Sequence, residues 1–172
     1  QSDTNVNVIE SQWLIFEPTS SNKTVGFIFY PGGRVDYRSY SPLAHAIANE
    51  GYLTVIVPMP LNLAVFGPNS ANAVIDAFPN ITSWAIGGHS LGGSMAAQYV
   101  QENQNKISGL ILLAAYPASG LNLSNSEIFA VTIHGTNDGL VAAKQIEDSL
   151  KQLPLSTIRA ELDGGNHAQF GW

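Results

Sequence analysis

Between Trp84 and Gln104 the chain passes from a short apolar run into G-x-S-x-G and then into a helix-like stretch. The apolar run is Trp84-Ala85-Ile86, the motif is Gly88-His89-Ser90-Leu91-Gly92, and the helical stretch begins at Gly93. In this context the pattern demands a sharp strand-to-helix turn with the serine at its tip. The flanking glycines carry no Cβ, so strand and helix can approach closely. The helix N-terminus then turns its unpaired N–H groups and positive dipole end toward the serine oxygen. The five-residue pattern alone is weak in a chain with 16 glycines. Its flanks are what give it meaning.

Two downstream segments reinforce it. Ile128–Val141 (IFAVTIHGTNDGLV) reads as a strand and a loop that carries Asp138, 48 residues after Ser90. Ser156–Phe170 (STIRAELDGGNHAQF) reads as a strand and a Gly-rich loop that carries His167, 29 residues after Asp138. Serine, acid and histidine follow in the chain order used by nucleophilic triads on a strand–turn–helix scaffold. Each lies just past the carboxyl end of a predicted strand, where active sites of open α/β sheets gather.

The rest of the chain alternates in the same way. Strands are expected at Trp13–Phe16, Val25–Tyr30, Leu53–Val57, Gly109–Ala114, Ile128–Ile133 and Thr157–Leu162. Helices are expected at Tyr37–Asn49, Asn72–Phe78, Gly93–Gln104 and Leu140–Leu153. The run VGFIFY at Val25–Tyr30 is apolar throughout, as a strand buried on both faces should be. The fold class is therefore α/β, a three-layer, open, mostly parallel sheet with helices on both faces, in one domain over 1–172.

Composition excludes several function classes. Hydrophobic residues make up 45% and charged residues 12%, a compact globular profile. The formal net charge is −6 and no Lys/Arg cluster exists, which argues against nucleic-acid and anionic-membrane partners. No apolar run approaches the ~18 residues of a membrane span. The absence of cysteine excludes disulfides, thiolate metal sites and a cysteine nucleophile. The chain starts at Gln1, which fits a mature secreted or cell-envelope form and equally a trimmed chain, so compartment stays open. Asn22, Asn80 and Asn122 match the N-glycosylation pattern.

Taken together, GGHSLGG around Ser90, FYPGGRVDY after the Val25–Tyr30 strand, HGTNDGLV around Asp138 and GGNHAQFGW around His167 resemble the α/β-hydrolase superfamily. The nearest likeness is to its small bacterial, dienelactone-hydrolase-like branch. The resemblance implies an α/β-hydrolase fold, here minimal and with no cap domain because 172 residues leave little room for one. It also implies a closing helix after the histidine loop, whereas the sequence stops at Trp172, five residues past His167. One face of the sheet is then expected to be partly uncovered, with a homodimer or a further segment covering it.

The chemistry implied is acyl transfer on a small-molecule ester. Ser90 is the candidate nucleophile, His167 the base, and Asp138 the group that orients the imidazole and stabilises its charged form. Glu161 and Asp163 are the alternative acids. The oxyanion hole is expected from the Leu91 N–H and from the loop Tyr30-Pro31-Gly32-Gly33-Arg34. Proline has no N–H, so Gly33 is the expected second donor and Arg34 the next choice. Pro58–Pro68 (PMPLNLAVFGP) is unusually apolar for a loop. It reads either as an acyl-binding wall with Leu61, Leu63 and Phe66 or as a short buried helix. Arg34 and Asp36 read as a mutual pair or as a polar substrate contact. His134 is expected to hydrogen-bond the backbone, His45 to sit on a polar helix face, and His89 to fill the free elbow position. Four scattered histidines offer no metal-ligand spacing, and no metal or organic cofactor is implied. Thioesterase, lactonase, perhydrolase and amidase or peptidase chemistry use the same serine, and a catalytically silent binding module keeps the same fold.

Overall fold

The computed structural model describes residues 2–19 and 24–171. The Asn22 glycosylation pattern and Trp172 lie outside the described residues. The strands are β1 (Val6–Glu10), β2 (Leu14–Pro18), β3 (Val25–Tyr30), β4 (Leu53–Ile56), β5 (Ser83–His89), β6 (Gly109–Leu113), β7 (Phe129–Gly135) and β8 (Ile158–Leu162). The helices are α1 (Ser41–Asn49), α2 (Ala71–Ala77), α3 (Leu91–Glu102) and α4 (Ala143–Ser149). The eight described strands form one sheet in the order β1-β2-β4-β3-β5-β6-β7-β8. β1 pairs antiparallel with β2 and β2 antiparallel with β4, while β4 through β8 run parallel.

The central strands are those the apolar runs predict. β4 (LTVI) is buried at all four positions, and β3 is buried from Gly26 to Tyr30. One face packs under α2 and α3, where Val74, Ala96, Ala97 and Val100 meet Ile28, Ile86, Leu110 and Leu112. The other face packs under α1, where Ala44 and Ala48 meet Phe16, Phe27, Phe29 and Ile56. Burial at about 25 cal/mol per Å² of apolar surface makes these two layers the main stabilising term. Beyond α1 the second face opens into a hollow of about 320 Å³ lined by Phe27, Leu43, Ile47, Ala85, Ile111 and Ile133. Phe129, on β7, is 79% exposed.

The order β4-β3-β5 locates the site. From β3 the chain crosses to β4 on one side and later returns to β5 on the other. The loops leaving β3 and β5 diverge there and open a crevice at the carboxyl ends of the strands, the ligand position of open α/β sheets.

Four local expectations need correction. β1 was not expected; its Val6 and Val8 alternate with polar Asn7, a short signal for a solvent-facing edge strand. The first turn of the expected Tyr37–Asn49 helix is 3-10 over Tyr37–Tyr40, because Asp36 caps the Arg38 N–H and Pro42 starts the α-helix afresh. α3 begins at Leu91, two residues early, since Gly92 and Gly93 are needed for close packing rather than as a break. The expected Leu140–Leu153 helix runs only from Ala143, because Asp138 holds the Leu140 and Val141 N–H groups as a loop. Among the described residues no helix is long and apolar enough to cross a membrane.

Candidate active site

Ser90 stands between β5 and α3 with φ 52° and ψ −121°. A non-glycine residue there costs about 1–3 kcal/mol and persists only where its surroundings over-determine it. Those surroundings are close. The Ser90 N–H donates to the Leu113 carbonyl at 2.9 Å, and its carbonyl accepts the Ser94 N–H at 3.1 Å as α3 begins. A Cβ at Gly88 would lie 2.5 Å from the Tyr30 carbonyl oxygen, and one at Gly92 would strike the Tyr30 and Pro31 carbonyls. Glycine at both positions therefore lets β5, α3 and the loop after β3 converge on Ser90.

Asp138 and His167 arrive on the loops after β7 and β8. His167 Nδ1 donates to Asp138 Oδ2 at 2.8 Å, with side-chain exposures of 12% and 1%. Asp138 Oδ1 accepts the N–H groups of Leu140 and Val141, both at 2.8 Å. Burial pushes the Asp138 carboxyl upward, but those N–H donors and His167 outweigh it and hold the carboxyl below its ordinary value. The alternative acids lie elsewhere. Glu161 pairs with Arg159, and Asp163 accepts from Thr136.

Ser90 and His167 line one cleft of about 410 Å³, together with Gly32, Gly33, Val35, Ser39, Tyr40, His89, Leu140, Ala168 and Gly171. A larger groove of about 620 Å³ near Tyr116 and Lys151 contains none of the three predicted catalytic residues. Chemistry, not size, selects the smaller one. Gly33 lines it, and neither its N–H nor that of Leu91, the residue after Ser90, has a hydrogen-bond partner among the described residues. The Arg34 N–H, by contrast, donates to the Asn62 carbonyl at 2.8 Å, and the Gly32 N–H donates to the Tyr40 hydroxyl at 3.0 Å. The two expected donors, Leu91 and Gly33, are thus among the backbone N–H groups left free near Ser90.

The Pro58–Pro68 segment forms two 3-10 turns, Pro60–Asn62 and Ala64–Phe66, rather than a buried helix. Leu61, Leu63 and Phe66 are not in the cleft lining. Leu63 abuts Gly33, whose added Cβ would lie 3.5 Å from Leu63 Cδ2 and 3.2 Å from Leu91 Cδ2. Leu61 is 81% exposed and Phe66 58%.

Other readings change. Asp36 pairs with Arg38 rather than Arg34. His134 makes no backbone hydrogen bond: both ring nitrogens are buried without a partner in hydrogen-bonding geometry, with Nε2 3.4 Å from Glu161. His45 pairs with Asp3 at 3.0 Å. His89 is more than an elbow filler. It is 3% exposed, its Nδ1 lies 2.8 Å from the Tyr40 hydroxyl, and its ring lies 4.6 Å from that of His167. Tyr40 has no local signal in the sequence, because its partner is 49 residues away.

Comparison with known proteins agrees with this fold. The profile of the alpha/beta hydrolase family matches residues 26–172. No curated protein matches the sequence significantly. Among solved structures, the chain is similar to an alpha/beta hydrolase enzyme from the metagenome of sediments from the lagoon of Mar Chica, Morocco. The TM-score is 0.74 at 15% identity, covering 96% of this chain and 90% of that one. It is equally similar to Est1E from Butyrivibrio proteoclasticus with ferulic acid bound, at TM-score 0.74 and 15% identity, covering 94% and 87%. With an eight-stranded, mostly parallel sheet, a strained serine at the turn after β5 and a family match over most of its length, the chain belongs to the alpha/beta hydrolase family.

Proposed function

We propose that this protein cleaves carboxylic esters through an acyl-enzyme formed on Ser90. The observation that carries the reading is a positive-φ serine opening α3 in the same cleft as a hydrogen-bonded Asp138–His167 pair. With Nδ1 donating to Asp138, a neutral His167 carries its lone pair on Nε2, the nitrogen left to take the serine proton. Ser90 Oγ then adds to the ester carbonyl. The Leu91 and Gly33 N–H groups receive the oxyanion, a role worth about 3–4 kcal/mol per donor in related chemistry. His167 returns its proton to the departing alcohol. Water, deprotonated by the same imidazole, releases the acid and restores Ser90.

The cleft supports small, largely neutral substrates. Val35, Tyr40, Leu140 and Ala168 line it, and among the described residues no carboxylate or lysine does. Leu63 extends this apolar surface beside Gly33, with Leu61 and Phe66 as the proposed outer rim of an acyl site. The neighbour Est1E binds ferulic acid, itself a carboxylic acid, which agrees with acyl chemistry on this fold. Lactones and thioesters meet the same groups, so the dienelactone-hydrolase-like branch stays within the proposal.

A serine-reactive phosphonate tests it. Labelling is expected at Ser90 in the wild type and absent in Ser90→Ala. Turnover of p-nitrophenyl acetate should fall by about 10⁴-fold or more in that variant. Labelling at another residue, or none, would overturn the reading.

A further inference from the structure

Tyr40 touches the floor of the cleft without belonging to the proposed triad or oxyanion hole. It is fully buried, and its hydroxyl has two polar neighbours. It accepts the Gly32 N–H at 3.0 Å and lies 2.8 Å from His89 Nδ1. A phenol has one proton to give. Beside the Gly32 N–H the oxygen keeps one further lone pair and its own proton, so it bonds His89 Nδ1 either as donor or as acceptor.

The pair joins four pieces of chain. Gly32 precedes the proposed oxyanion donor Gly33, and a Cβ at Gly32 would lie 2.6 Å from His89 Nδ1 and 2.8 Å from the Tyr40 oxygen. His89 precedes Ser90. Its ring packs against His167 at 4.6 Å and Phe170 at 5.6 Å between centroids. Tyr40 ends the 3-10 turn before α1 and packs on Phe29 of β3, ring centroids 4.7 Å apart.

Resting on the esterase reading, we propose that Tyr40 is a positioning residue. Through the Gly32 N–H and His89 it fixes the Gly33 N–H against Ser90 and seats the His167 ring. Both charged alternatives are suppressed. Burial pushes the Tyr40 hydroxyl up to about 12. Burial, then the neighbouring His167 charge, lowers His89 to about 4. The pair therefore stays neutral around neutral pH. It contributes geometry and no charge.

Tyr40→Phe keeps the ring and removes the hydroxyl. The Gly32 N–H and His89 Nδ1 then lose their partner together, and the loop carrying Gly33 loses its anchor. The expected result is a fall in kcat for p-nitrophenyl acetate of about 10- to 100-fold, less than the loss of an oxyanion donor outright. KM should stay within about twofold, because the interaction serves the transition state. Phosphonate labelling should slow in parallel, since the adduct places its oxygen in the same hole. A folded Tyr40→Phe with kcat and labelling near wild type overturns the inference and leaves the esterase reading standing. So does a loss confined to KM. A wild type that the phosphonate does not label overturns both.

Should Tyr40→Phe lose its native circular dichroism, His89→Asn and His89→Leu make the comparison instead. The Asn amide oxygen sits near the place of Nδ1 and can accept from Tyr40, whereas Leu cannot. The Asn variant should exceed the Leu variant by about tenfold in kcat, within the span of a displaced oxyanion donor. Equal rates would overturn the inference.

Discussion

At the scale of single residues, Ser90 pays in stability for its place at the tip of the turn. Its φ of 52° strains any residue with a Cβ. Ser90→Ala keeps that strain, whereas Ser90→Gly relieves it. Both should be inactive, but the glycine variant should be more stable than the alanine variant by about 1 kcal/mol, read as a shift in urea midpoint. Equal midpoints would mean that the turn is not strained. His89 gives a pH signature. Its folded value of about 4 lies below an unfolded value near 6.5, so the unfolded chain binds more protons between them. The stabilisation is complete above about pH 6.5 and is lost as pH falls toward 4, by up to about 1.4 kcal/mol per pH unit. Melting temperatures across that window should drop in the wild type and flatten in His89→Asn.

At the scale of elements, the segment after β4 carries the question of acyl length. Leu63 touches Gly33 and Leu91 shares that contact, while Phe66 stands farther out and is half exposed. If the segment forms the acyl wall, Leu63→Ala and Phe66→Ala should lower octanoate-ester turnover more than acetate-ester turnover, with each buried CH₂ worth about 0.8 kcal/mol. An equal fall for both esters would assign the segment to the core. The same elements show what was legible from residues alone. Ser90 and Asp138 follow apolar runs and His167 an alternating one, each ending in a Gly-containing loop, so local pattern sufficed to nominate them as candidates. The expectation of a Gly33 donor came from the missing N–H of Pro31. Tyr40 left no trace because its role arises from a contact with His89 across α1 and β5. The order of the strands was also invisible, since pairing partners such as Gly26 and Trp84 are distant in sequence. The Pro58–Pro68 segment was apolar enough to flag, yet only the fold shows which of its side chains face Gly33.

At the scale of the molecule, the two faces of the sheet are unequal. α2 and α3 cover one, but beyond α1 the other presents Ile111, Ile133 and Phe129. Contiguous apolar surface of that kind is unusual on a monomer. We propose a second copy of the chain as its cover. The melting temperature should then rise with protein concentration, and sedimentation should give twice the chain mass. A concentration-independent monomer would refute it.

The proposed triad is also distributed unevenly across the sheet. Ser90 follows β5, which pairs on both sides and lies under α3. His167 follows β8, an edge strand with four of its five residues exposed, paired on one side only. Local opening free energies run from near zero at exposed edges up to the global value in the core. The proposed base is therefore held by an exposed edge of the sheet and the proposed nucleophile by its buried centre. In rising urea, esterase activity should vanish while the far-ultraviolet circular dichroism is still native. Amide hydrogen exchange should find Arg159–Glu161 open at denaturant levels that leave Ile86–Gly88 protected. Inactivation would then be a reversible detachment of the imidazole from a preformed elbow, and the protein would lose its chemistry well before it loses its shape.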